Sequence, residues 1–346
     1  MHRAAIIRGD GIGPEISEAT LKIIEASGAR VRWEEVLIGQ EAKRRLGAEL
    51  PWGSLEQIRR IGVALKAPLI AERCGDGVRI EADGEVRQYP SINNGLRREL
   101  DAYANLRPAR GWPGVSGPYL NLDLVIVREV TEDLYIGIER RVDDDSAEAI
   151  KRISGTASRR VARFACDYAI RNGRKKITAV HKANVLHLTD GLFLQSVRSV
   201  VGDYPALTFD DQMVDATCYR LIKHPEIFDV LVLPNQYGDI LSDVVAGLVG
   251  SLGLAPGANI GPEVAVFEAA HGAAPDIAGR GIANPIGLAL SGAMLLDHLG
   301  ETEAAKRIRH GVTATLADER RRTPDLGGQA STAELTEAIC ERIRND

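Results

Sequence analysis

The sequence predicts an α/β protein in which helices cover both faces of a sheet. Continuously apolar runs, such as Leu122–Arg128 and Asp229–Leu233, alternate along the chain with amphipathic stretches such as Pro14–Ser27. Strands without polar alternation are typical of a sheet that is buried on both sides. The chain has 346 residues, and at about 150 residues per domain this length predicts two domains.

Composition and charge exclude several classes of protein. The chain is 45% hydrophobic and 26% charged, with a net charge of −5 and without a basic tract, which argues against a nucleic-acid partner. The longest nearly apolar stretch, Val244–Pro256, is well short of the ~20 residues of a membrane span, and the N-terminus does not resemble a signal peptide. Cysteines 74, 166, 218 and 340 lack metal or disulfide spacing and are predicted to be free thiols. We therefore expect a cytoplasmic protein that does not bind membranes.

A strand, turn and helix in the segment Phe228–Asp243 carry a pair of carboxylates. The i,i+4 spacing of Asp239 and Asp243 places both on one helical face, about 6 Å apart along the axis. Their repulsion is partly offset by the helix N-terminus, and a hard cation such as Mg²⁺ or Mn²⁺ would be coordinated by them. Asp215, on another element, is a candidate third ligand. A capping aspartate beside a solvated one remains the alternative interpretation.

Three arginines in the first half of the chain are candidates for binding carboxylates. Arg97 and Arg107 flank the helix-like stretch Leu96–Asn105, and Arg128 ends an apolar strand. An arginine at the end of a buried strand is well placed to point into a cleft, where its planar fork can hold a carboxylate by two hydrogen bonds. Each of the three can equally be an ordinary surface residue.

Lys182 and Tyr135 are candidates for proton transfer. Lys182 follows the predicted strand Lys176–His181, and a lysine at the mouth of a buried strand can have its pKa lowered toward that of a useful base. Tyr135 lies in Glu129–Val142, which alternates like a half-exposed strand or arm and would present the hydroxyl as a proton donor. A purely structural role is the alternative for both residues.

Two glycine-containing segments are candidates for nucleotide contacts. Gly9–Gly13 follows a strand and opens a helix, but it lacks the full G-x-G-x-x-G pattern, so a Rossmann site is rejected. The loop His271–Gly279 is rich in glycine and alanine and would let a flat ligand approach the backbone. Asp276 in this loop is placed to accept hydrogen bonds from a diol.

In this order, the segments resemble the β-decarboxylating dehydrogenases, a family that includes isocitrate, isopropylmalate, homoisocitrate and tartrate dehydrogenases. The resemblance runs from the Gly-Asp-Gly-Ile-Gly-Pro-Glu start to Arg322–Gly328, and its most specific blocks are His181–Asn184, Tyr237–Asp243 and Glu268–Pro285. It implies a two-domain α/β fold that is not a Rossmann fold. Residues 1–97 and 253–346 would form the large domain, and residues 98–252 the small domain with the arm and the dimer interface.

The resemblance also assigns roles to individual residues. Tyr135 and Lys182 match the acid–base pair, and Asp215, Asp239 and Asp243 match the Mg²⁺ or Mn²⁺ ligands. Asp215, Lys182 and Asn184 would reach into the neighbouring cleft of a homodimer. The residues matched to substrate binding are Ser91, Asn93, Arg97, Arg107, Arg128 and Asn184. Those matched to the nucleotide site are Ile70, His271, Gly272, Ala273, Ala274, Asp276, Ile277, Asn284 and Asp325.

The nucleotide is expected to be NAD rather than NADP. NADP enzymes of the bacterial type in this family carry basic or phenolic residues where this chain has Asp276 and Ile277. A carboxylate suits the ribose hydroxyls and repels a 2′-phosphate, since two unit charges about 4 Å apart cost roughly 4 kcal/mol at an effective dielectric constant near 20.

The side arm of the substrate is predicted from the Ser91–Arg97 segment, which fits the pattern of isocitrate enzymes. Ser91 and Asn93 can bind an anionic arm, so the predicted reaction is NAD-dependent oxidative decarboxylation of isocitrate to 2-oxoglutarate. Homoisocitrate, isopropylmalate and a phosphonomethyl analogue of malate remain alternatives, because Ile70 departs from the family pattern and a polar insert, Arg79–Tyr89, precedes the motif. The turn signal Asp83-Gly84 predicts that this insert is a hairpin. The rival classes are a metal-dependent hydrolase and a non-catalytic regulatory subunit.

Overall fold

The structure is a computed structural model that describes residues 1–70, 77–82 and 84–345. Its strands are β1 (His2–Ile7), β2 (Val31–Glu35), β3 (Val63–Lys66), β4 (Val78–Ala82), β5 (Glu85–Tyr89), β6 (Ala104–Arg110), β7 (Asp123–Glu129), β8 (Glu139–Arg141), β9 (Ala147–Ala149), β10 (Lys176–His181), β11 (Thr208–Met213), β12 (Val230–Leu233), β13 (Pro256–Ile260) and β14 (Ala265–Ala269). Its α-helices are α1 (Gly13–Ala26), α2 (Gln40–Leu46), α3 (Trp52–Ile61), α4 (Ile92–Glu99), α5 (Gly155–Arg171), α6 (Thr189–Val201), α7 (Val214–Lys223), α8 (Asn235–Val249), α9 (Ile286–His298), α10 (Thr302–Leu316) and α11 (Thr332–Arg344). Short 3₁₀ turns lie at Gly117–Tyr119, Leu134–Ile136, Pro225–Ile227, Leu252–Leu254, Glu319–Arg321 and Pro324–Leu326.

A ten-stranded sheet runs through the molecule in the order β11-β10-β12-β7-β6-β13-β14-β3-β1-β2. Its outer strands pair in parallel, whereas β6 runs antiparallel to both of its neighbours and β13 runs antiparallel to β14. Every residue of β3 and of β12 is buried, as their unbroken apolar sequences predict. The predicted α/β class is confirmed.

Strands β6 and β13, which belong to different predicted domains, pair with each other in the same sheet. This pairing joins Ala104–Leu106 to Ala258–Ile260. Beyond it, β6 continues to Arg110 and includes Pro108, which has no N–H to donate. The N–H of Gly111 donates to the oxygen of Leu122, the residue just before β7, at 2.7 Å. Strand alternation therefore turns the nitrogen of Pro108 away from β7, and no hydrogen bond between β6 and β7 is lost. The division into residues 1–97 with 253–346 and residues 98–252 stays a prediction.

The helix expected over Leu96–Asn105 is wrong in its bounds. Helix α4 begins after Ser91, whose Oγ accepts the N–H of Asn94 at 3.2 Å, and it ends at Glu99. Asp101 then adopts a left-handed conformation, with φ of 47°, which reverses the chain into β6. Arg97 therefore lies on a helix and Arg107 on a strand, and both reach the same cluster.

The half-exposed strand expected over Glu129–Val142 is interrupted. Strand β7 ends at Glu129, and Tyr135 lies in a 3₁₀ turn that follows Asp133, whose φ is 72°. Strand β8 then pairs with β9 in an exposed hairpin. The alternating segment therefore begins at the last residue of β7, continues through the turn with Tyr135 and ends in the arm that contains β8.

The polar insert before α4 is a hairpin, as predicted, with β4 and β5 antiparallel from Val78–Tyr89 to Ala82–Glu85. Asp83 of its turn and Cys74 lie outside the described residues. Cys166, Cys218 and Cys340, the cysteines in the described part, are free thiols, as expected. Among the helices that the structure describes, none combines the length and the apolarity needed to cross a membrane.

Candidate active site

The carboxylates of Asp239 and Asp243 project from the first turns of α8, which begins where the buried strand β12 ends. Asp239 accepts hydrogen bonds from the guanidinium of Arg128 and from the hydroxyl of Tyr135. Asp243 lies one turn further along, 3.5 Å from Nη1 of Arg107. The predicted pair of acidic residues is therefore on one helical face and is surrounded by arginines.

The surroundings separate the two aspartates electrostatically. Burial opposes ionisation of Asp239, but Arg128 and the Tyr135 hydroxyl outweigh it and hold the pKa of this carboxyl below its ordinary value. Burial raises the pKa of Asp243, and Arg107 only partly offsets that effect. Burial, together with the hydrogen bond to Asp239, raises the pKa of Tyr135 to about 12, so its hydroxyl keeps a proton at neutral pH.

Two of the predicted arginines, Arg107 and Arg128, contact this pair of aspartates, and the charge of the third, Arg97, also lowers the pKa of Asp239. The side chain of Arg128 is 1% exposed, and its Nε and Nη2 donate to Oδ1 of Asn235 at 2.9 and 2.6 Å. Arg107 donates to Oγ of Ser242 at 2.9 Å. Burial lowers the pKa of Arg128 to about 10 and also lowers that of Arg107, and repulsion by Arg97 adds to both shifts. A polycarboxylate entering this cluster would relieve that repulsion.

A buried carboxylate, Glu268, which was not predicted from the sequence, forms ion pairs with Arg97 and Lys66. Arg97 donates to Oε1 of Glu268 at 3.1 Å, and the other oxygen of Glu268 accepts from Lys66 at 2.5 Å. Burial opposes ionisation of Glu268, but Lys66 and Arg97 hold its pKa well below the usual range. Asn105 and Asn259 complete the network, joined by a hydrogen bond of 2.9 Å. The sequence contained one indication of this network, because Asn105 and Asn259 each lie within a strand, where asparagine is uncommon.

Helix α4 brings the proposed side-arm residues close to the cluster. Ser91 caps the helix, and Oδ1 of Asn93 is buried without a hydrogen-bond partner among the described residues. The neighbouring Asn94 donates to the backbone oxygen of Tyr135 at 2.7 Å, which ties the helix to the turn that carries the phenol. An unpartnered buried acceptor such as Asn93 is suited to a ligand hydroxyl.

Lys182 and Asp215 form a pair of their own. Nζ of Lys182 lies 2.7 Å from Oδ1 of Asp215, whose side chain is 65% exposed, and Asn184 beside them is also exposed. The hydrogen bond from Lys182 lowers the pKa of Asp215. Within the described part of one chain, no three acidic, histidine or cysteine side chains gather as a metal site. Within one chain, Asp239 and Asp243 therefore lie in the arginine cluster, whereas Asp215, the predicted third metal ligand, lies apart from them beside Lys182.

The predicted nucleotide loop packs on the N-terminal glycines. Ala273 accepts the N–H of Ile12 at 2.9 Å, and Gly11 has a φ of 59°. A Cβ on Gly11 would lie 2.0 Å from the oxygen of Ala273, so this approach requires glycine. The glycine segment therefore supports the loop His271–Gly279 without being a Rossmann fingerprint.

One side chain of the loop, His271, has a ring nitrogen that is unpaired within the described part of the chain and is suited to a nucleotide. His271 is held by its Nδ1, which donates to the oxygen of Gly272 at 3.0 Å, and its Nε2 is buried without a partner in the described residues. Burial lowers the pKa of His271, so the ring is neutral and Nε2 is a free acceptor for a base or amide. Asn284 donates to Asp325 at 3.0 Å, and Asp276 is exposed. Ile70 donates its N–H to Asp10 at 2.9 Å.

The structure therefore gathers most of the predicted residues into three places: the arginine cluster, the exposed pair of Lys182 and Asp215 with Asn184 beside it, and the nucleotide loop. The arginine cluster contains Arg97, Arg107, Arg128, Tyr135, Asp239 and Asp243. Together with Ser91 and Asn93, this cluster is able to bind a small polycarboxylate, and its two aspartates can hold a divalent cation. Such a combination defines a metal-assisted enzyme acting on an acidic metabolite.

Comparison with known proteins places the chain more narrowly. A family model described as isocitrate/isopropylmalate dehydrogenase matches residues 3–339, and the chain belongs to this family. Catalytic subunit 5 of a mitochondrial NAD isocitrate dehydrogenase of Arabidopsis thaliana is 46% identical over 98% of this chain and 88% of its own. One of the regulatory subunits of the mitochondrial NAD enzyme of Dictyostelium discoideum is 42% identical over 99% of this chain and 92% of its own. The crystal structure of isocitrate dehydrogenase from Methylococcus capsulatus has 45% sequence identity and a TM-score of 0.92, covering 99% of this chain and 100% of that one.

Proposed function

We propose that this protein catalyses the NAD-dependent oxidative decarboxylation of isocitrate to 2-oxoglutarate and CO₂. The observation that carries the proposal is the convergence of Arg97, Arg107 and Arg128 on two carboxylates and a phenol. The similarity to NAD isocitrate dehydrogenases over nearly the whole chain supports the same reaction. The family membership predicted from the sequence is confirmed.

Different groups of residues would bind the metal ion, the nucleotide and the substrate. Asp239 and Asp243 of one chain, with Asp215 of a second, would hold Mg²⁺ or Mn²⁺, and the loop from His271 with Asn284 and Asp325 would hold NAD. When bound, the cation supplies positive charge that polarises the substrate hydroxyl and the carbonyl that replaces it, and NAD accepts the hydride. The arginines would fix the substrate carboxylates.

Proton transfer is assigned to two side chains. Lys182 would accept the proton of the substrate hydroxyl on its neutral amine, after the ammonium has released a proton to solvent, and its flexible stem and exposed partner, Asp215, leave it free to reach a substrate. Tyr135 would give a proton to the carbon that CO₂ has left, and its raised pKa keeps that proton available at neutral pH. Replacement of either residue is therefore expected to affect a different half of the reaction.

A homodimer with shared sites accounts for the position of Lys182. Lys182, Asn184 and Asp215 lie together on an exposed face, apart from the arginine cluster. We infer that this face enters the cleft of a second copy, whose arginine cluster lacks those groups. The cytoplasmic location stays a prediction, and the name of the Arabidopsis relative is that of a mitochondrial protein.

The test is a panel of 2-hydroxy acids assayed at about 340 nm, where reduced nicotinamide absorbs, with Mg²⁺ or Mn²⁺ and with NAD or NADP. Isocitrate with NAD is expected to give the highest kcat/KM. Homoisocitrate, isopropylmalate and a phosphonomethyl analogue of malate are the competing substrates, and a higher kcat/KM for one of them would replace isocitrate. A purified protein that forms no NADH from any member of the panel would instead be a regulatory subunit.

A further inference from the structure

A buried ionic network connects the segment that carries Lys182 with the turn that carries Tyr135. Its centre is Lys151, whose side chain is 12% exposed. Nζ of Lys151 lies 2.8 Å from Oδ1 of Asp190 and 3.6 Å from Oδ1 of Asp133, and both aspartate side chains are completely buried. Charges removed from water in this way depend on one another for compensation, so the loss of one of them leaves the others uncompensated.

Each of the two buried carboxylates holds one segment of the proposed machinery. The second oxygen of Asp190 accepts the backbone N–H of Lys182 itself at 2.7 Å. The second oxygen of Asp133 accepts the N–H of Gln236, at the start of α8, at 2.9 Å. Asp133 lies two residues before Tyr135 and accepts the N–H of Leu134 at 2.8 Å.

Two further contacts fix Lys151 in this position. Its Nζ lies 4.3 Å from the centre of the ring of Tyr237, the residue that follows Gln236. The backbone oxygen of the next residue, Arg152, accepts the N–H of Asp133 at 2.8 Å. The segment that carries Lys151 is therefore joined to Asp133 by its main chain as well as by the lysine side chain. Asp133 has a φ of 72°, an unfavourable conformation that its surroundings must impose.

We propose that Lys151 is a positioning residue that links the two proton-transfer groups of one chain, Lys182 and Tyr135. This inference rests on the proposed function, in which Tyr135 acts in the site of its own chain and Lys182 acts in the site of the neighbour. Lys151 touches neither group directly and acts through Asp190 and Asp133. Its consequence is that a single copy of Lys151 supports both active sites of a dimer.

The first experiment measures steady-state kinetics of Lys151→Met with isocitrate and NAD. The expected result is a kcat reduced about tenfold to a hundredfold, since small displacements of catalytic groups cost that much, with the KM for isocitrate within about threefold of wild type. The KM is preserved because the arginine cluster does not contact Lys151. A normal kcat would overturn the proposal.

A charge-matched variant separates positioning from stability. Lys151→Met alone leaves two buried carboxylates without their lysine and can lower the melting temperature for that reason. The double variant Lys151→Met with Asp190→Asn restores the original charge balance and keeps an acceptor for the N–H of Lys182. Its melting temperature is expected to recover while kcat stays low. A kcat that recovers together with the melting temperature would show that Lys151 only balances charge, and it would overturn the proposal.

Mixed dimers test the claim that one lysine serves two sites. Wild-type and variant subunits with different tags are mixed in known proportions, and the activity per dimer is measured. If each Lys151→Met subunit impairs both sites, a mixture of equal parts retains about a quarter of wild-type activity, whereas a defect limited to one site leaves about half. Lys176→Met is the matched control, because Lys176 has an ion pair of 3.2 Å with Asp210 at the other end of β10. The control is expected to retain full activity at every proportion.

A linear decline of activity with the fraction of Lys151→Met subunits would overturn the link between sites. Failure of the proposed function is recognised separately, because it is judged on the wild-type enzyme alone by the formation of NADH from isocitrate. The two hypotheses therefore fail in different measurements.

Discussion

Arg128 lies near the end of the buried strand β7 and Lys182 directly follows the buried strand β10, but their charges are balanced in different ways. Arg128 is 1% exposed, and its hydrogen-bond partners Asn235 and Asp239 are residues of its own chain. Lys182 is 27% exposed, and its partner Asp215 is 65% exposed. The carboxylate-binding half of the site is therefore buried, whereas the proposed base and third metal ligand lie at the surface, where we propose that they serve a second copy.

Breaking the buried half is expected to have the largest effect. Arg128→Met removes charged hydrogen bonds worth roughly 1.5–3 kcal/mol each and leaves Asp239 short of a cation. We expect kcat/KM for isocitrate to fall about a thousandfold or more, measured by initial rates of NADH formation. Arg3→Met is the control, since Arg3 also pairs with a carboxylate, Glu34, at 2.7 Å, but far from the site. A loss of activity no larger than that of the control would contradict the assignment of Arg128.

Breaking the exposed half is expected to slow catalysis without destabilising the fold. Lys182→Met should lower kcat by about 10²–10⁴, the usual contribution of a general base. Because Lys182 is partly exposed, its loss should change the free energy of unfolding by no more than about 0.5 kcal/mol, measured by urea denaturation. A variant with normal kcat would exclude Lys182 as the base.

Mixed dimers sharpen the same comparison. Subunits carrying Lys182→Met are combined with subunits carrying Tyr135→Phe, each inactive alone. If Lys182 acts in the neighbour, one of the two sites in every mixed dimer contains both intact groups. Each mixed dimer then has about half of wild-type activity, and an equal mixture, in which about half of the dimers are mixed, has about a quarter. If Lys182 acts within its own chain, every site lacks one group, and the mixture stays inactive.

The nucleotide loop is exposed like Lys182, and the expected effect there is smaller. Asp276→Lys combined with Ile277→Tyr should change the ratio of kcat/KM for NAD to that for NADP by about tenfold in favour of NADP. The shift is limited because the exposed Asp276 is screened by solvent. The ratio is measured with both nucleotides at saturating isocitrate, and an unchanged ratio would show that the loop does not contact the 2′ position.

The last prediction concerns stability rather than activity and involves Glu129, the buried neighbour of Arg128 on β7. Burial raises the pKa of Glu129 from 4.5 to about 7, so the folded protein binds this proton more tightly than the unfolded chain. The resulting stabilisation is fully present below pH 4.5 and is lost as the pH rises through about 7. Relative to Glu129→Gln, the wild type should lose up to about 3 kcal/mol of unfolding free energy between pH 4.5 and 8. Urea denaturation across this range measures it, and a constant difference would refute it.

Much of the site was predictable because its residues follow elements with strong patterns. The i,i+4 spacing of Asp239 and Asp243 depends only on α8 being a helix, and the unbroken apolar strand before it predicts where that helix begins. Lys182 was located in the same way, since it directly follows β10. Periodicity of this kind is local information, and the sequence contains it.

Features that depend on contacts between distant residues were not predictable. The pair of Lys66 and Glu268 joins residues separated by 202 positions, and neither residue signals its partner. The turn that carries Tyr135 was expected to be a strand, because the alternation of apolar and polar residues continues through it. The positive φ of Asp133, which forms the turn, is imposed by tertiary contacts that the local pattern does not show. Asp101 likewise ends α4 earlier than the apolar pattern indicates.

The strand order of the sheet has a consequence for biosynthesis. β3 lies beside β14, and β6 lies beside β13, so each pairing waits for a segment that leaves the ribosome long after its neighbour. The strands β6, β7, β10, β11 and β12 are consecutive among those of the large sheet, and they can associate while the rest is still being translated. Until β14 emerges, β1, β2 and β3 have no strand pairing with that assembly, and the apolar strand β3 has an open edge to which chaperones can bind.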